Sequence, residues 1–83
     1  MKLLYFASIR QKIGKAEETL APPPEAVTVA TLIEWLKTRG PAYAEALKNP
    51  KLVRVAVNRE YVPADRRIAP GDEIGLFPPV TGG

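Results

Sequence analysis

The chain opens on Lys2-Leu-Leu-Tyr-Phe-Ala-Ser-Ile9, an almost unbroken apolar run that predicts a strand over 2–9. A run without alternation suits a strand covered on both faces rather than one at an edge. Gly14 lies in the connection that follows, and residues 16–20 predict a returning strand that completes an N-terminal hairpin. Pro22-Pro23-Pro24 ends it and bars helix. The period then changes. Val29, Leu32, Ile33 and Leu36 fall at i, i+3, i+4 and i+7, one apolar stripe of a helix with Thr28 as its N-cap. Gly40 fits the C′ position of that helix and Pro41 the stop beyond it. Trp35 sits at the flank of the stripe, where half-buried packing is expected, and residues 43–47 predict a short second helix.

Beyond it the period is two again. Leu52 to Val57 predicts a strand with Val53, Val55 and Val57 on one face, and Asn58 turns the chain into a short strand around Tyr61-Val62. Ala69-Pro70-Gly71-Asp72 carries proline and glycine where a type II turn needs them, and Glu73 to Phe77 predicts the last strand. The order β-β-α-β-β-β, in one small layer with a crossover helix, belongs to the α+β class. The crossover makes the first and last strands parallel neighbours at the sheet centre.

The last strand runs into Pro78-Pro79-Val80-Thr81-Gly82-Gly83. Two prolines fix φ near −65° and favour an extended path, so residues 78–83 are expected to project as a tail from a domain spanning 1–77. Gly82 and Gly83 have no Cβ and can enter a channel too narrow for a side chain, which would present the Gly83 carboxylate as a reagent to another protein's active site. A frayed terminus is the plainer alternative.

Composition narrows the chemistry. Eighty-three residues make a single small domain. With neither cysteine nor histidine, the chain lacks a thiol nucleophile, a thiolate ligand, the usual general base and the commonest metal ligand. No metal site is expected, and the chain reads as a carrier or a substrate of other enzymes. The net charge of +3 is spread over Arg10, Lys12 and Lys15 in one early loop and Arg66-Arg67 in a late one. No aromatic residues interleave with them, which argues against nucleic acid and for solvated loops. No apolar run has membrane-spanning length and no signal peptide is recognisable, so a cytoplasmic protein is expected.

This order of elements resembles the ubiquitin-like β-grasp fold. Val55-Ala56-Val57-Asn58, Glu60 and Val62, Pro70-Gly71-Asp72-Glu73 and above all Phe77-Pro78-Pro79-Val80-Thr81-Gly82-Gly83 resemble the small, sulfur-carrying subunits of molybdopterin synthase. Leu4-Tyr5-Phe6-Ala7 and Arg10 fit the same family. The resemblance implies that a partner activating enzyme adenylates the Gly83 carboxylate with ATP. A sulfur donor, such as a cysteine desulfurase system, then converts the anhydride to a thiocarboxylate. The tail (Pro78, Pro79, Val80, Thr81, Gly82) enters the large catalytic subunit and gives its sulfur to cyclic pyranopterin monophosphate, in molybdenum cofactor biosynthesis. The chain would bind no cofactor and would be no enzyme on its own. The same ending also suits a carrier for thiazole or tRNA thiolation, or a modifier joined to lysines through Gly83. An interaction domain with an inert tail is a further alternative. Phe77 is left with two readings. With Ile74 and Leu76 facing the helix, it lies on the opposite face, either anchoring a partner or packing on Tyr5 or Tyr61.

Overall fold

The computed structural model describes residues 1–79. The chain runs β1 (Lys2–Tyr5), α1 (Ala7–Ile13), β2 (Glu17–Thr19), α2 (Val29–Lys37), α3 (Pro41–Ala46), a 3-10 turn (Pro50–Leu52), β3 (Arg54–Val57), β4 (Glu60–Tyr61) and β5 (Glu73–Phe77). The five strands form one mixed sheet in the order β2-β1-β5-β3-β4. As expected, β1 and β5 are parallel neighbours at its centre, with Leu3 opposite Ile74 and Tyr5 opposite Leu76. The fold is the α+β, ubiquitin-like β-grasp.

Three expectations from the sequence are corrected. The strand over 2–9 stops at Tyr5, because Ala7 adopts φ 51° and turns the chain into α1. Ile9 and Ile13 bury one face of that helix, and Gly14 closes it in the left-handed conformation (φ 87°), its N–H donating to the Arg10 carbonyl at 2.8 Å. An apolar run of eight residues fits strand and helix alike, so the periodicity could not show the break. Nor is the run covered on both faces, since Leu4 is half-buried and Phe6 exposed. Second, Gly40 and Pro41 do not end α2. That helix ends at Lys37 with Thr38 as its C-cap, while Gly40 is the N-cap and Pro41 the first residue of α3, another place where proline's missing N–H costs nothing. Third, the turn at 69–72 is not type II. Asp72 N–H does donate to the Ala69 carbonyl (3.0 Å), but Gly71 does not take the positive φ that type II needs. The Asp72 carboxylate holds this turn by accepting from Ala69 N–H (2.8 Å) and from Asn58 Nδ2 (3.0 Å).

The α2 stripe behaves as its spacing dictates. Thr28 and Thr31 form a reciprocal cap, each hydroxyl accepting the other's backbone N–H (3.2 and 2.8 Å). Val29, Leu32, Ile33 and Leu36 are buried against the sheet, and Trp35 is half-buried. They meet Leu3 and Tyr5 of β1, Val55 and Val57 of β3, and Ile74 and Leu76 of β5 in one core, which α1 and α3 complete with Ile9, Ile13 and Tyr43. All the helices therefore cover one face of the sheet and leave the other open.

Candidate functional site on the open sheet face

The site is the end of β5 and what surrounds it. Because β5 alternates, Ile74 and Leu76 are fully buried among the helices, and Gly75 and Phe77 face the open side. The Phe77 ring stacks on Phe6 with centroids 4.2 Å apart and planes 3° from parallel, and tilts against Tyr61 at 5.7 Å. Phe6 reaches this position because β1 breaks after Tyr5. Its N–H donates to the Leu76 carbonyl (3.1 Å), which carries the parallel pairing one residue further and puts the ring beside Phe77. Gly75 lies under both rings. A Cβ there would come within 2.9 Å of the Phe77 ring and 3.5 Å of the Phe6 ring, so the flat seat of the aromatics depends on glycine.

Phe6 is 38% exposed and Tyr61 67%, and with Leu4, Ala56 and Gly75 they floor a hollow of about 310 Å³. Charges edge it. Arg59 pairs there with Glu73 at 3.7 Å, and Arg54, opposite Phe77 in the β3–β5 register, lines the neighbouring pocket with Pro78 and Pro79. Arg59 belongs to the two-residue turn between β3 and β4, where Asn58 and Arg59 both take positive φ (51° and 71°), as a type I′ hairpin requires. Asn58 ties that turn to the start of β5 by accepting Glu73 N–H (3.0 Å) and donating to Asp72 (3.0 Å). Those hydrogen bonds, from Ala69 N–H first and then Asn58, hold the Asp72 carboxyl below the usual range, helped by the Arg66 charge.

Both readings of Phe77 hold in part. It packs locally, on Tyr61 as one reading had it, yet remains half-buried within an exposed aromatic group. It does not touch Tyr5, which points into the core. The sequence showed Phe6 only within the resemblance carried by Leu4-Tyr5-Phe6-Ala7 and not as a site residue, although alternation from Leu3 and Tyr5 and the parallel pairing of β1 with β5 together place it there. Pro78 and Pro79 follow directly and are half-buried, between a pocket shared with Phe6, Ala7 and Arg54 and a groove beside α1. Val80, Thr81, Gly82 and Gly83 lie outside the described residues. Of the basic residues expected in one early loop, Arg10 and Lys12 lie instead on α1, because the chain turns helical at Ala7, while Lys15 follows in the connection, exposed and donating to Glu18 at 3.1 Å. Among the described residues no group of three or more metal-ligating side chains comes together, and no helix is long and apolar enough to cross a membrane.

Residues 3–83 match the ThiS family. The molybdopterin synthase sulfur carrier subunit of Escherichia coli is 39% identical over 84 residues, covering 100% of this chain and 99% of that protein. The subunit of the same name from Haemophilus influenzae is 36% identical, with 100% and 99% covered. In three dimensions the chain is similar to the small archaeal modifier protein SAMP1 of Haloferax volcanii, with a TM-score of 0.78 and 26% identity over 100% of this chain and 98% of that one. Full-length matches on this scale leave one conclusion: the chain belongs to the ThiS family, and molybdopterin synthase sulfur carrier subunits are its relatives within it.

Proposed function

We propose that this protein is the sulfur carrier subunit of a molybdopterin synthase, loaded at Gly83 as a thiocarboxylate. The supporting observation is the continuity of Phe77 with Pro78-Pro79-Val80-Thr81-Gly82-Gly83, which leads from an exposed aromatic surface into a side-chain-free ending. A carboxylate is a poor electrophile because its charge is delocalised and oxide is a poor leaving group. Transfer of AMP from ATP to the Gly83 carboxylate, with release of pyrophosphate, supplies a good one. The terminal sulfur of a donor persulfide, such as a cysteine desulfurase system forms, displaces AMP to give an acyl disulfide. A thiol reductant then cleaves its S–S bond, becoming a disulfide and leaving the thiocarboxylate at the terminus. The large catalytic subunit then confines the loaded tail beside cyclic pyranopterin monophosphate, raising the effective concentration of the sulfur nucleophile at its acceptor.

In this reading the protein supplies no acid, base or metal ligand. It supplies a reactive terminus and a surface that delivers it. Phe6, Tyr61 and Phe77 form that surface, since exposed aromatics around an apolar hollow are the usual anchors of an interface. The activating enzyme and the large subunit must each accept the same tail, so both are expected to cover this face, one after the other.

The test is incubation with an activating enzyme, ATP and a sulfur source, followed by intact-mass measurement. The carrier reading expects a gain equal to one oxygen-to-sulfur exchange, at Gly83. A second reading, conjugation to lysines through Gly83, is favoured by the three-dimensional likeness to an archaeal modifier protein. Chains covalently attached to other proteins through Gly83, without transferable sulfur, would select it.

A further inference from the structure

Four side chains, from β1, α3 and two connections, converge on the Glu18 carboxylate, a group with no part in the proposed sulfur chemistry. One oxygen, Oε2, accepts the hydroxyls of Tyr5 in β1 and Tyr43 in α3, both at 2.6 Å. The other, Oε1, accepts from Lys15 Nζ (3.1 Å) and faces Arg39 Nη2 just beyond α2 (3.7 Å). The Arg39 guanidinium is itself held 5.4 Å from the ring centroids of both Trp35 and Tyr43. The Tyr5 and Tyr43 rings meet edge to face at 6.4 Å. The Glu18 side chain is 11% exposed. Hydroxyl bonds of this length to an ionised carboxylate are among the stronger hydrogen bonds a protein makes.

The element with most to lose is α3. It has six residues, too few to persist by themselves, and its N-cap Gly40 offers no side-chain hydrogen bond. Yet α3 and the residues after it form one wall of a groove of about 160 Å³, through Glu45, Ala46 and Lys48. The facing wall is α1, through Ser8 and Lys12, and Pro78 and Pro79 line the same groove. The tail thus leaves the sheet beside a wall whose position depends on Tyr43.

We infer that Glu18 is a positioning residue for the tail: through Tyr43 it fixes α3, and α3 fixes the direction in which Pro78-Pro79 leads the terminus away. The inference rests on the carrier reading. A loosened α3 lets the root of the tail sample more directions, so fewer encounters deliver the terminus into a partner. Once the terminus is seated, the chemistry is unchanged. The signature is a raised KM for the carrier with its kcat preserved.

Tyr5 and Tyr43 supply a matched pair of tests, because each donates one hydroxyl to the same oxygen and only Tyr43 belongs to α3. Tyr43→Phe is expected to speed hydrogen exchange at the Ala44 and Leu47 amides about tenfold, the scale of one lost hydrogen bond to a charged group, with β5 unchanged. With an activating enzyme, ATP and sulfide, it is expected to raise the KM for the carrier several-fold at unchanged kcat. Tyr5→Phe is expected to leave α3 exchange and the KM as they were. Equal α3 exchange in the two variants, or no change in either, overturns the latch. Faster α3 exchange with an unchanged KM overturns the link to the tail. If the unaltered protein never gains sulfur, the carrier reading fails and takes the tail link with it, while the exchange comparison still decides the latch.

Discussion

The two faces of the sheet are built from the same strands by the same alternation, yet they carry opposite duties. On the covered face, Leu3, Leu32, Leu36, Ile74 and Leu76 are fully buried, and each contributes to keeping the chain folded. On the open face, Phe6 and Phe77 stack in contact with water, where their burial is incomplete and their contribution to folding correspondingly small. A small domain with one thin core can spare little apolar surface. Leaving two aromatic rings exposed and a third half-buried around one hollow is explained if a partner covers them. In the proposed function, the covered face reports on stability and the open face on delivery.

The sharpest way to break this division is at the tail. Deleting Gly83 is expected to leave the urea midpoint unchanged and abolish thiocarboxylate formation. A truncated protein that still supports sulfur transfer sinks the carrier role. Gly82→Val is the graded form of the same test. A side chain in a narrow channel displaces the reacting group, and a shift of about 1 Å can cost roughly a hundredfold in rate.

Exchanging the faces comes next. Leu36→Ala removes a fully buried side chain and is expected to cost about 2–5 kcal/mol of stability by denaturant titration, with sulfur transfer per folded molecule retained. Phe6→Ala is expected to do the reverse, weakening partner binding about tenfold or more by calorimetry at a small cost in stability. If Phe6→Ala destabilises as much as Leu36→Ala, the open face is a second core and the division fails.

A smaller effect tests the polar cluster beneath the covered face. Burial opposes ionisation of Glu18, but the bonds from Tyr43, Tyr5 and Lys15, with the Lys15 charge, outweigh it and hold its carboxyl below the ordinary glutamate range. Its stabilisation is therefore present above the unfolded glutamate value and is lost as pH falls through the depressed folded value. Tyr5 is shifted the other way, well above the ordinary tyrosine range, first by burial and then by the bond to and the charge of Glu18. Its contribution is present below the unfolded tyrosine value, about 10, and declines as pH rises past it. The urea midpoint is expected to fall on both limbs, with Tyr5→Phe flattening the alkaline one. An unchanged alkaline limb in that variant removes Tyr5 as its cause.

The mildest change is Gly75→Ala. Its Cβ meets the rim of the Phe77 ring at 2.9 Å, and a ring on an open face can tilt away. Stability is expected to change by less than about 1 kcal/mol, while partner affinity drops a few-fold because the flat seat of Phe6 on Phe77 is lost. Affinity equal to that of the unaltered protein would show that the stacked geometry is incidental.

What the sequence determined by itself is whatever depends on neighbours along the chain. The i, i+3, i+4, i+7 stripe from Val29 to Leu36 and the Thr28 cap specify α2, and Ile74 with Leu76 against Gly75 and Phe77 specifies the two faces of β5. The crossover rule then places β5 beside β1, and the composition leaves the chain without a thiol or an imidazole. Tertiary structure decided the rest. Nothing local shows that Lys2 to Ile9 breaks at Ala7, because strand and helix bury such a run equally well and only the packing of Ile9 and Ile13 distinguishes them. Gly40-Pro41 ends one helix or begins another according to where Tyr43 finds its partner. That partner, Glu18, lies 25 residues earlier in the chain, and a hydrogen bond across such a separation leaves no periodic trace. The aromatic face has the same origin: Phe6, Tyr61 and Phe77 come from three strands or their ends, and sheet register alone makes them neighbours.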